Sequence, residues 1–234
     1  MTNSTRLIIA FLMLIIIFSF GNLIGRLSAS YVGSAVRPAI TQFTFLILSL
    51  ILMYRLSSGN LTNYGFKPVQ FRQLVKPFWI MVIAQIMVLV IGSIVMFKLG
   101  VIKPGESPHP VLKNMSLLQV FLVIFILASI AEEFLFRGLF QSFLEPLSEY
   151  KLGKLSLPVI LSAISFGLAH FILLLTPANR GFVFFIVVNT MVLGFIASYF
   201  REKTESMITP IIVHMTANLV GGIIPLTFRT LLKA

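Results

Sequence analysis

The chain has 234 residues, of which 58% are hydrophobic and only 11% charged. A water-soluble domain of this size needs far more polar surface to cover its core, so a soluble globular protein is excluded and a polytopic membrane protein remains. The net charge of +11 comes from basic residues crowded at the ends of apolar runs, where they meet lipid headgroups, and no contiguous basic face with interleaved aromatics points to nucleic acid.

Runs of roughly 17–25 apolar residues cross a bilayer as helices. Seven are expected, at 7–24, 39–54, 78–97, 117–136, 158–175, 182–200 and 208–228. The first has Arg6 before its apolar stretch and small residues at Ser28-Ala29-Ser30, as a signal peptide would. With six spans after it, it is read as a retained helix. Residues 55–76 carry Arg55, Lys67, Arg72 and Lys76 with Gly and Pro that break helical periodicity, and read as a loop. Residues 98–116 hold Pro104, Pro108 and Pro110 and read as an exposed loop, in which His109 is given no function. Residues 141–157 are amphiphilic and are expected in the interface or re-entering the membrane, which would make an eighth crossing. Basic residues divide almost evenly between the two sides, and orientation leans to a cytoplasmic N-terminus. The expectation is an all-α bundle of seven or eight spans in one membrane domain.

Span four reads SLLQVFLVIFILASIAEEFLFRGLF and places Glu132, Glu133 and Arg137 among apolar residues. Each charge at the bilayer centre costs about 2.5–3.5 kcal/mol on insertion scales, so these groups must pair, protonate or face a wet interior. Glu133 and Arg137, four apart, lie about 40° from each other on the helical wheel and can form an ion pair. Glu132 is rotated by about 100° from Glu133 and stays available for chemistry. Span five holds His170. Span seven holds His214 and Asn218, one turn apart on the same face. Each could be an interhelical hydrogen-bonding residue. Together they could also form a polar wall facing Glu132, since a buried amide donates and a neutral imidazole donates or accepts.

Several hydrolytic chemistries fail on inventory alone. The chain has no Cys, which excludes disulfides, thiol catalysis and cysteine lipidation. All seven acidic residues are Glu, so an aspartyl pair cannot form. No HExxH is present for a site-2 type zinc protease, and no Gly-x-Ser-x-Gly setting for a serine nucleophile.

Three short patterns carry a resemblance. Glu132-Glu133-Phe134-Leu135-Phe136-Arg137 resembles an EExxxR motif, Phe166-Gly167-Leu168-Ala169-His170 an FxxxH motif, and His214-Met215-Thr216-Ala217-Asn218 an HxxxN motif. In this order on apolar helices they resemble the CPBP intramembrane proteases, relatives of the CAAX prenyl endopeptidases of the Rce type and of the bacterial Abi proteins. The resemblance covers roughly residues 117–222. It implies a variable N-terminal half at 1–115, a catalytic membrane domain at 116–228, and a multi-pass protein of a bacterial cell membrane.

The resemblance also implies roles. Glu132 and His170 would hold and deprotonate a water, and His214 and Asn218 would donate to the oxyanion, with Glu133, Arg137 and Phe166 supporting the site. A metal version, in keeping with the metalloprotease label often given to the family, would bind zinc or another divalent ion through Glu132, His170 and His214. Asn218 weighs toward the metal-free version. Expected partners are membrane lipids and a membrane-associated peptide or protein substrate, not nucleic acid. Two further readings stay open: a non-proteolytic scaffold or immunity protein that binds a peptide or partner, and a proton-coupled transporter with the same residues as a relay.

Overall fold

The computed structural model describes residues 1–33, 36–101 and 115–223. Among the described residues six helices are long and apolar enough to cross a membrane. They are α1 (Asn3–Val32), α2 (Arg37–Leu56), α3 (Phe71–Lys98), α4 (Leu117–Gln141), α5 (Leu157–Leu175) and α6 (Arg180–Thr204). A shorter α7 (Ile208–Asn218) continues in a wider turn over Leu219–Ile223. The protein is thus an all-α integral membrane bundle. Among the described residues the helices number seven, without an eighth crossing. The last expected span, read to 228, is described to Ile223, and His109 lies outside the described residues.

Side-chain caps set where several helices begin, by taking up amide hydrogens that have no partner in the first turn. Thr2 Oγ1 accepts from Thr5 N at 3.2 Å, Ser116 Oγ from Gln119 N at 3.2 Å, and Asn179 Oδ1 from Gly181 N at 2.8 Å. Caps also explain one departure from expectation. α3 starts at Phe71, not at 78, because Gln70 and Gln73 cap each other, with Gln70 N donating to Gln73 Oε1 at 3.1 Å. Pro77 is carried inside the helix, as membrane helices tolerate.

The stretch expected in the interface or re-entering the membrane holds no helix long enough to cross one. After a tight turn at Glu145–Leu147 it forms a small antiparallel hairpin, β1 (Lys151–Leu152) against β2 (Leu155–Ser156), with Gly153 in the left-handed region at φ 62°. The start of α1 docks on it. Arg6 donates to Phe143 O at 2.9 Å, and Asn3 Nδ2 donates to the Tyr150 hydroxyl at 3.1 Å. The loop before α3 is strapped to the α6–α7 turn on the same side. Met207 N donates to Gly65 O at 2.9 Å, and Ser206 Oγ to Lys67 O at 2.7 Å. Arg201 joins the two groups, donating to Ser142 Oγ at 3.0 Å while Gly65, at φ 87°, leaves room for its guanidinium.

The two halves of the chain share one core. Ile17, Phe45, Met53 and Met81 from the first three helices pack with Leu135, Phe136, Phe140, Phe166 and Val213. Lipid tails are as apolar as these side chains, so association rests on close packing and interhelical hydrogen bonds. α5 and α6 approach closely at Gly194, where an added Cβ would sit 2.9 Å from the Ala163 carbonyl oxygen.

α4 departs from ordinary α geometry. Val120–Ala128 and Phe134–Gln141 are π-helical, on either side of a short α segment, Ser129–Glu133, that carries both glutamates. Wide turns of this kind concentrate at functional sites.

Candidate active site

The α segment of α4 turns Glu132 and Glu133 in different directions, as the wheel predicts. Glu133 and Arg137 are fully buried, with Arg137 Nη1 donating to Glu133 Oε1 at 2.9 Å. The other guanidinium nitrogens reach α6, with Nε donating to Ser198 Oγ at 3.2 Å and Nη2 to Gly194 O at 3.2 Å. The Phe166 ring lies beneath the guanidinium, its centroid 4.4 Å from Cζ. The ion pair expected from the four-residue spacing is present, and it also clamps α4 to α5 and α6.

Glu133 has a second partner that the spacing does not reveal. Its Oε1 accepts from His214 Nδ1 at 2.8 Å. A carboxylate only accepts, so the proton is on Nδ1 and Nε2 is left for other work. That nitrogen lies 4.0 Å from Glu132 Oε2. His170 is arranged in the same way: its Nδ1 donates to Phe166 O at 2.9 Å, four residues back in α5, and again Nε2 is left. Phe166 therefore contributes twice. Its carbonyl fixes one imidazole, and its ring packs edge-on against both, at centroid distances of 5.1 Å to His170 and 5.6 Å to His214.

Glu132 is not free on every side. Gln42 of α2 donates through Nε2 to Glu132 Oε1 at 2.7 Å. Sequence reasoning missed this residue. The only signal was a carboxamide in an otherwise apolar span, next to Thr41 and Thr44.

Glu132, His170, His214 and Asn218 line one cavity of about 590 Å³. It runs toward the end of the bundle where α2 begins and α5 turns into α6, near Arg37 and Pro177. Gln42, Gln85 and Asn189 line it too, and an amide oxygen of each is buried with no partner among the described residues. Such an orphaned acceptor costs about 1–3 kcal/mol.

Asn218 sits differently from its expected role. Its Nδ2 donates to Ile124 O at 3.1 Å and to Ser129 Oγ at 3.0 Å. Both amide hydrogens are thereby used to brace α7 against α4, and neither is left for an oxyanion. The zinc set of Glu132, His170 and His214 does not fit this arrangement either. Among the described residues, no three His or Glu side chains gather closely enough to hold a metal ion.

Residues 114–220 match the family model described as type II CAAX prenyl endopeptidase Rce1-like. This stretch of the chain is similar to that family. It includes Glu132, Glu133, Arg137, Phe166, His170, His214 and Asn218, and leaves Gln42 and Gln85 outside. Comparison with curated proteins and with solved structures gives no match.

Proposed function

We propose that the protein is a CAAX-type intramembrane endopeptidase that hydrolyses a peptide bond in the cavity holding Glu132, His170 and His214. One observation carries the reading. A carboxylate and two imidazoles from three separate helices line a single cavity within a membrane bundle, each imidazole tied back through Nδ1 with Nε2 left over.

In this reading a water lies between Glu132 and His170 Nε2, which accepts one of its hydrogens. Glu132 takes the other proton as the water oxygen bonds to the scissile carbonyl carbon, and the carbonyl electrons move to oxygen. General-base help of this kind contributes about 10²–10⁴ in rate. The proton then passes to His214 Nε2, 4.0 Å from Glu132 Oε2. The imidazolium that results is stabilised by Glu133, and its Nε2–H faces the new oxyanion before protonating the leaving nitrogen as the C–N bond breaks. Asn218 acts by holding α4 in place.

The test compares the membrane peptidomes of cells carrying the parental chain and Glu132→Gln at equal protein level. Cleavage products present with the first should be absent with the second. Identical peptidomes would refute proteolysis and leave a binding scaffold, which Glu132→Gln spares.

A further inference from the structure

We infer that Gln85 of α3 and Asn189 of α6 are substrate-binding groups that accept hydrogen bonds from main-chain N–H groups of an unwound peptide. This deepens the protease reading and rests on it.

Both residues line the cavity that contains Glu132. Gln85 is 1% exposed, and neither its Oε1 nor Asn189 Oδ1 has a donor among the described residues. Buried carbonyl oxygens without a donor are rare and call for a reason. Packing does not supply one. Gln85 lies in the run WIMVIAQIMVLVIG, where Met or Leu would fill the same space without an orphaned acceptor. The chain also makes room for the carboxamide: an added Cβ on Gly221, in the wide turn after α7, would sit 2.5 Å from Gln85 Nε2. A half-turn about the last side-chain bond exchanges oxygen and nitrogen at nearly constant shape, so the oxygen is easily presented to a ligand.

The ligand chemistry follows from the sign of what is missing. Turned to the cavity by that half-turn, both oxygens become acceptors in its wall, and a guest that brings donors would satisfy them. A helical peptide has spent its N–H groups on its own carbonyls. A peptide unwound so that water can reach one carbonyl exposes N–H groups that find no partner in lipid. Two carboxamide oxygens set into the wall answer that need.

The experiment uses the full chain in detergent and in cells, with Gln85→Met, Asn189→Leu and Glu132→Gln. If the oxygens serve a substrate, Gln85→Met and Asn189→Leu leave the thermal unfolding midpoint unchanged or raise it by up to about 4 °C. The products lost with Glu132→Gln should then fall by about tenfold or more. On purified protein, with the peptide cleaved by the parental chain as probe, the loss should appear in KM while kcat stays within about threefold. A midpoint that falls by more than about 4 °C would show a structural role and overturn the inference. So would unchanged products where Glu132→Gln abolishes them, or a loss in kcat alone. If Glu132→Gln itself leaves the products unchanged, the protease reading fails and takes this inference with it.

Discussion

Gln42 Nε2 donates to Glu132 Oε1 at 2.7 Å, across the boundary between the Rce1-like stretch and the helices that precede it. The carboxylate proposed to activate water is therefore aimed from outside the matched segment. A hydrogen bond to a charged group contributes about 1.5–3 kcal/mol. Gln42→Leu is expected to lower kcat by about ten- to a hundredfold with little change in KM or unfolding midpoint. Turnover equal to the parental rate would show that Glu132 is held well enough by its own helix.

Arg137 makes three hydrogen bonds and a ring contact from a fully buried position. Arg137→Met leaves the Glu133 carboxylate with His214 as its remaining partner, and breaking a buried pair in this way costs about 3–5 kcal/mol. Arg137→Lys restores the charge but lacks the planar fork that reaches Ser198 and Gly194 together. Midpoints measured in detergent should fall in the order parental, Lys, Met. A lysine variant as stable as the parent would show that charge alone suffices.

Among the described residues no three His or Glu side chains are gathered for a metal ion, which predicts insensitivity to chelation. Turnover by purified protein should survive phenanthroline and dialysis against EDTA. Activity lost on that treatment and restored by zinc would require the side chains to regroup around an ion.

Outside the membrane segments, Lys67 and Glu205 pair at 2.6 Å. The Lys67 hydrogen bond, and then its charge, hold the Glu205 carboxyl below the ordinary glutamate range. A carboxyl lowered in the folded state stabilises the fold above its unfolded pKa, and that stabilisation is lost as pH falls through the folded value. With side chains 41% and 66% exposed, the pair contributes about 0–1 kcal/mol. Lys67→Ala should lower the midpoint slightly at pH 7, and the difference should vanish in acid once Glu205 is protonated, and in high salt. A difference that persists in acid would assign the effect to the lysine's packing.

Much of this was legible in the chain. Apolar run lengths marked seven helices, and the four-residue spacing marked the Glu133–Arg137 pair. The partners that cross between distant helices were not legible. Nothing in the sequence pairs Gln42 with Glu132 or gives His214 Nδ1 to Glu133, since helical wheels describe one helix at a time. A helical wheel for span four also presumes α winding, whereas most of α4 is π-helical. The oxyanion role that the resemblance implies for Asn218 needs a free amide. The structure spends that amide on Ile124 and Ser129.

In the proposed enzyme the bond from Gln42 would also work as an interlock. If α2 swung away from α4 to let a guest in sideways, it would release the very carboxylate needed to act on that guest. In the proposed reaction, a peptide admitted through that seam would meet a weakened base until the wall had closed behind it.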